Sequence, residues 1–249
     1  MRTLDETYEQ LKSILGEHIE PIDAVHLVNE YREYWRPRTA KVILLAESHV
    51  FTNESDMSIR YQSSLPGYPT RYAKFVYCLA YGERELTGSA AQPRLDGTPQ
   101  FWKVFYACLH LASCNQDFAP VLRATPHAQR LANKIALLQR MKEKGIWLVD
   151  TSIVALYHKG KKPKSMHKAL RCSWDNYTSA VIRQASPEHV ICIGKDVGKI
   201  VGADLNEFIG SDNVTILPQP NAFLSSAAHL EAYQTYFRVC SASDRDTSV

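Results

Sequence analysis

Five consecutive apolar residues, Val42–Ala46, give way at once to Glu47-Ser48-His49. The run is rich in β-formers and shows no apolar–polar alternation. A strand of this kind is buried on both faces, as in a parallel sheet covered by helices. In open α/β sheets, ligands bind outside the carboxyl ends of the strands. A carboxylate, a hydroxyl and an imidazole therefore arrive where such folds do their chemistry. Taken singly, each also fits a plain role as a loop starter or a cap.

The rest of the chain repeats this theme. Residues 4–15 and 22–35 have helical spacing, the first ended by Gly16 and the second stopped by Pro37. Residues 51–65 are polar and unperiodic. Residues 72–81, apolar and aromatic, predict a buried helix. Residues 82–99 predict a long surface loop. Helices are expected over 101–112 and 128–144, the second with Leu131, Ile135, Leu138 and Met141 on one face and Gly145 as its stop. Short buried strands follow at 146–149, 190–193 and 214–217. Helices are expected over 166–184, after Gly194 and over 227–239, and a polar tail from residue 241 is expected to fray. This order predicts an α/β fold, a three-layer α/β/α sandwich with a four-stranded parallel sheet. The expectation is a single domain, with N-terminal helices at 1–38, a core at 39–240 and the tail at 241–249.

Composition narrows the function classes. A net charge of +3 does not by itself argue for nucleic acid. None of the six cysteines forms a Cys-x-x-Cys pair, and most lie in apolar runs. They read as reduced core residues of a cytoplasmic protein. The first eight residues do not look like a signal peptide, and no stretch approaches the ~20 apolar residues that span a bilayer. The nine histidines show no metal-ligand spacing, so no metal site is expected. No membrane contact is expected either, and the protein is expected to be a monomer.

Three strand ends carry unusual polar residues: Glu47-Ser48-His49, Asp150-Thr151-Ser152 and Pro218-Gln219-Pro220-Asn221. In a parallel sheet they share one edge and can converge on one pocket. Neighbouring residues cannot form a nucleophilic triad among themselves, and no Gly-x-Ser-x-Gly elbow or phosphate-binding glycine loop is present. A basic segment with Lys159, Lys161, Lys162 and Lys164 follows the second strand end. Such segments are commonly solvated, but this position also suits a phosphate clamp.

The order of these motifs resembles the uracil-DNA glycosylase superfamily, over roughly residues 39 to 236 as an architecture. That family's first motif begins Gly-Gln-Asp-Pro or Gly-Glu-Ala-Pro, and Ala46-Glu47-Ser48-His49 stands in its place. Its second core strand ends in a base-reading Asn, where this chain has Asp150. Its last motif, typically His-Pro-Ser-Pro, is here Leu217-Pro218-Gln219-Pro220, with Leu217 in place of the histidine. Within the superfamily the chain looks like the bacterial antiphage glycosylases that excise glucosylated hydroxymethylcytosine.

The resemblance implies a DNA glycosylase that leaves an abasic site, needs no cofactor and acts on modified viral DNA. Glu47 would position or activate water, Ser48 would share the first motif, and His49 would stabilise the leaving base. Asp150 would read the base with Phe51 and Gln219 beside it, because a carboxylate accepts from the N4 amino group of a cytosine. The tyrosine that excludes 5-substituted bases in the uracil enzymes has Val50 and Phe51 near its place, so bulk at C5 would be admitted. Lys159, Lys161, Lys162 and Lys164 would hold phosphates, and Asn221 or Phe223 would fill the gap in the base stack. The alternatives are a conventional uracil glycosylase and a catalytically silent nucleic-acid-binding module, the latter favoured by Leu217.

Overall fold

The computed structural model describes residues 2–88, 97–157 and 160–242. It opens with α1 (Leu4–Leu15) and α2 (Ile22–Tyr34). Thr3 caps α1 through a reciprocal pair with Glu6, the Thr3 hydroxyl accepting from the Glu6 amide at 3.2 Å. Strand β1 (Val42–Ala46) follows, then the single-turn helix α3 (Glu54–Met57), α4 (Pro99–Leu109) and α5 (His127–Glu143). Strand β2 (Ile146–Asp150) precedes α6 (Met166–Ser173), which runs through a π-helical segment, Trp174–Thr178, into α7 (Ser179–Ala185). The chain then forms β3 (His189–Ile193), α8 (Lys195–Ile209), β4 (Val214–Leu217) and α9 (Ser226–Ala242).

All four strands are parallel, in the order β2-β1-β3-β4. Every residue of β1 and β2 is buried, as the unbroken apolar runs require. The sheet lies between helical layers, one group gathering around α4, α5 and α9 and another around α1, α6 and α8. The fold is thus the three-layer α/β/α sandwich expected. The register pairs Val42 with Ile146 and Ala46 with Asp150, so the polar residues after β1 and the end of β2 leave the sheet side by side.

Two expectations need correction. No helix forms over residues 72–81; successive turns do, with Cys78 N donating to Phe75 O and Tyr81 N to Cys78 O, both at 2.8 Å. Aromatic side chains are mediocre helix formers, and here they have other partners. Tyr77 packs against Trp35 and Phe105, and its hydroxyl accepts from Leu148 N at 2.8 Å, while Leu79 N donates to the Tyr68 hydroxyl at 2.8 Å. The second correction concerns α5. Leu138 and Met141 are buried as expected, but Leu131 and Ile135 are only half-buried, while Arg130 and Lys134 go inside. Residues 89–96, part of the expected long loop, and the tail beyond 242 lie outside the described residues.

The reason for the second correction is Glu83. Its carboxylate is enclosed and accepts from Arg130 Nη2 and Lys134 Nζ, both at 2.6 Å, and meets His127 Nδ1 at 3.0 Å. Burial alone pushes the Glu83 carboxyl up, but Arg130, Lys134 and His127 outweigh it and hold the group at about 2. This cluster ties the segment around residue 83 to α5. Because the folded value lies below the unfolded one, its contribution is present above the ordinary carboxylate range and is lost as pH falls through about 2. Glu83→Ala strands two buried cations and is expected to cost about 3–5 kcal/mol in urea unfolding at pH 7. A loss under about 1 kcal/mol would show that the two cations find water instead.

Candidate functional site

The polar residues at the strand ends are held by backbone pairing that outlasts the strands. Thr151 N donates to Ala46 O at 2.7 Å and Ser152 N to Glu47 O at 3.0 Å. The segment after β2 is pinned from the helical side as well, by Ile153 N donating to Ser173 Oγ at 2.8 Å and Thr178 Oγ1 donating to Thr151 O at 3.0 Å. Asp150 and Glu47 therefore stand on well-fixed backbone.

A cavity of about 990 Å³ opens at this edge of the sheet. Glu47, Ser48, His49, Phe51 and Asp150 line it, and Pro218, Gln219 and Asn221 bring in the end of β4. All three predicted strand ends therefore contribute to one cavity, although Thr151 and Ser152 turn away from it into hydrogen bonds. Gly194 makes the β4 side possible. It has φ 117°, and a Cβ there would sit 3.1 Å from Gln219 Nε2. Leu217 is packed into the apolar core and is not part of the cavity lining.

Glu47 is only 5 % exposed, and burial raises its carboxyl above the ordinary value despite the Tyr157 hydroxyl that donates to it and the nearby Lys162 ammonium. Burial likewise raises the Tyr157 hydroxyl, and Glu47 adds to the effect. Ser48 Oγ accepts from Leu156 N at 3.3 Å. Phe223, expected as a wedge, is fully exposed beside the cavity residues Ala222 and Leu224. Lys161, Lys162 and Lys164 are exposed, and Lys162 pairs with Asp196 at 2.9 Å. Lys159 lies outside the described residues.

His49 and Asp150 belong to a buried chain of four charged side chains. His49 Nε2 meets Glu20 Oε1 at 2.6 Å, and its Nδ1 meets Asp150 Oδ2 at 3.3 Å. Arg32 Nη2 donates to the same Asp150 oxygen at 3.1 Å. Glu20 also accepts from Ala155 N at 2.7 Å and Thr52 N at 3.3 Å. Burial by itself lowers His49, but Glu20 and Asp150 outweigh it and raise the imidazole to about 9. His49 is therefore an imidazolium at neutral pH, with both N–H groups directed at carboxylates. Neither N–H is left to donate into the cavity.

Glu20 and Arg32 escaped the sequence reading, as did Tyr157 and Phe75, whose ring lies edge-on to His49 at 6.0 Å and also lines the cavity. Arg32 had a legible signal, since it shares the apolar face of α2 with Val28 and Tyr31. Glu20 had none beyond its place before Pro21. One group of potential metal ligands occurs among the described residues: Glu83, Glu85 and His127. Arg130 and Lys134 already occupy the Glu83 carboxylate and would repel a cation. No described helix is long and apolar enough to cross a membrane. Comparison with family models, curated proteins and solved structures finds no match.

The pH sign for His49 is opposite to that of Glu83. Its folded value is raised, so its stabilisation is complete below about 6.5 and is lost as pH climbs through about 9. Unfolding free energy is expected to fall over this interval by at most roughly 3 kcal/mol, and His49→Ala should remove the dependence. An alkaline profile unchanged by His49→Ala would deny His49 that role.

Proposed function

We propose that the protein is a DNA glycosylase that hydrolyses the N-glycosidic bond of a cytosine modified at C5, as 5-hydroxymethylcytosine or its glucosylated form, in foreign DNA. One observation carries this reading: Glu47, just past β1, and Asp150, at the end of the adjacent β2, line the same cavity at the carboxyl edge of the sheet. At about 990 Å³ that cavity lies at the upper end of the roughly 300–1,000 Å³ common for small-molecule sites, so there is room for a base with a bulky substituent.

The chemistry follows from the groups present. A flipped nucleotide enters base-first, and the fully exposed Phe223 fills the gap left in the stack. Asp150 accepts from the N4 amino group, a donor that cytosine has and uracil lacks. The bond from C1′ to the base nitrogen breaks, and its electron pair leaves with the base. Glu47 takes a proton from water as the oxygen bonds to C1′, and its negative charge steadies the oxocarbenium-like sugar. The buried His49 imidazolium favours the departing base anion by its charge, and Gln219 supplies an amide beside it. The departing anion takes a proton from solvent and Glu47 returns its own to water, so the products are an abasic site and the free base, and no cofactor takes part. Lys161, Lys162 and Lys164 hold phosphates, with Lys162 exchanging its Asp196 partner for DNA.

Glu47→Gln is expected to fold normally and to lose about 10²–10⁴-fold in base release. The acid limb of the wild-type rate should lie above the ordinary carboxylate range, because Glu47 must be ionised and burial raises it. The test is mass spectrometry of bases released from duplexes carrying modified cytosine or uracil. Modified cytosine as the main product, reduced in Asp150→Asn, supports the reading. Uracil as the main product restores a conventional glycosylase, and binding without release marks a silent DNA-binding module. Replacing Lys161 and Lys162 with Ala should lower the log–log salt slope of DNA binding by about two at most; an unchanged slope assigns them to the solvated surface.

A further inference from the structure

We infer that Glu20 and Arg32 are positioning residues, which fix the His49 imidazolium and the Asp150 carboxylate at the cavity wall. The inference rests on the glycosylase reading for what the carboxylate contacts, but its geometry stands by itself.

Four separate parts of the chain meet here: the turn before α2 (Glu20), α2 itself (Arg32), the residues after β1 (His49) and the end of β2 (Asp150). The groups alternate in sign, Glu20–His49–Asp150–Arg32, so each inner group has an opposite charge on either side. Removing one end leaves its neighbour buried beside a partner it cannot fully satisfy. On the far wall Phe75 presents its ring edge to His49 and lies under the Arg32 guanidinium at 5.6 Å.

Each outer residue has its own anchor. Glu20 is held by the amides of Thr52 and Ala155, which follow β1 and β2 respectively. It thus clamps together the two segments that carry Glu47 and Asp150. Arg32 donates to Asn29 at 3.3 Å, while its backbone carbonyl accepts from Trp147 Nε1 at 3.0 Å, locking α2 to β2. Its buried Nε has no hydrogen-bond partner. A buried N–H left unpaired carries a desolvation cost. That fits a guanidinium placed for Asp150 rather than for stability.

The consequence for recognition is directional. With Oδ2 taken by both cations, the Asp150 carboxylate cannot rotate freely, and it meets an entering base as a fixed acceptor. Once His49 loses its proton, one of those holds weakens. Turnover should therefore fall on the alkaline side in step with His49.

The experiment has two arms. In the first, the His49 ring nitrogens are titrated by NMR in wild type and Glu20→Gln, with His49→Gln to assign the signals. Wild-type His49 should remain protonated through pH 8 and Glu20→Gln should titrate about one unit lower or more. An unmoved titration overturns the inference. In the second arm, kcat/KM on 5-hydroxymethylcytosine DNA is followed against pH. The alkaline limb should move down in Glu20→Gln by the same interval as the NMR titration. Arg32→Gln should lose about tenfold or more, and Arg32→Lys should recover most of it. A uniform drop at every pH, with the limb in place and no recovery in Arg32→Lys, marks a merely structural role and also overturns it. If wild type releases no base from any DNA, the glycosylase reading falls by itself, and the first arm decides whether the charged chain is organised as inferred.

Discussion

Everything at the mouth of the sheet depends on how four buried charges are accommodated. Two carboxylates and two cations have been taken out of water, at a desolvation cost of several kcal/mol per ion. That cost is offset only when each charge faces an opposite one with good geometry. The distances from Glu20 through His49 to Asp150 and Arg32 meet this condition. Such a chain is a poor way to gain stability, since apolar residues of similar volume often do as well. Its value lies in definition. It joins α2 and the turn before it to the ends of β1 and β2, and so sets where the cavity wall stands.

The sheet supplies the other half of that definition. Parallel pairing of β1 with β2 runs on past Ala46 and Asp150, so Glu47 and Asp150 leave the sheet as neighbours with the same backbone support. β4 contributes from the far side of β3, where Gly194 lets the Gln219 side chain pass close to the backbone. In the proposed glycosylase this arrangement divides labour between adjacent carboxylates. Glu47, touched by a phenol and raised by burial, suits proton transfer. Asp150, gripped by two cations, suits recognition.

What was legible in the sequence had local causes. Unbroken apolar runs identify buried parallel strands, and the abrupt polar residues after them mark the edge where the cavity opens, because both are short-range patterns. Residues 72–81 misled for the same reason. Their composition suggests a buried helix, but Tyr77 packs against Trp35 and Phe105 and accepts from Leu148 N, so partners elsewhere in the fold decide their conformation. Glu20, Arg32 and the Glu83 cluster were hidden because their meaning lies in partners 29 to 135 residues away along the chain. A lone glutamate before a proline carries no signal of that kind. An arginine on the apolar face of α2 does, and it is the one member of the chain that a closer reading of periodicity would have flagged.

In the proposed glycosylase a cavity, a fixed carboxylate and an exposed aromatic join in one recognition event. The most direct measurement is a crystal structure of Glu47→Gln bound to a duplex that carries 5-hydroxymethylcytosine. The expected result is a nucleotide turned out of the stack, its N4 amino group about 3 Å from Asp150, the C5 substituent inside the cavity and Phe223 in the vacated position. A stacked, unflipped duplex, or DNA bound on a face away from Asp150, would contradict it.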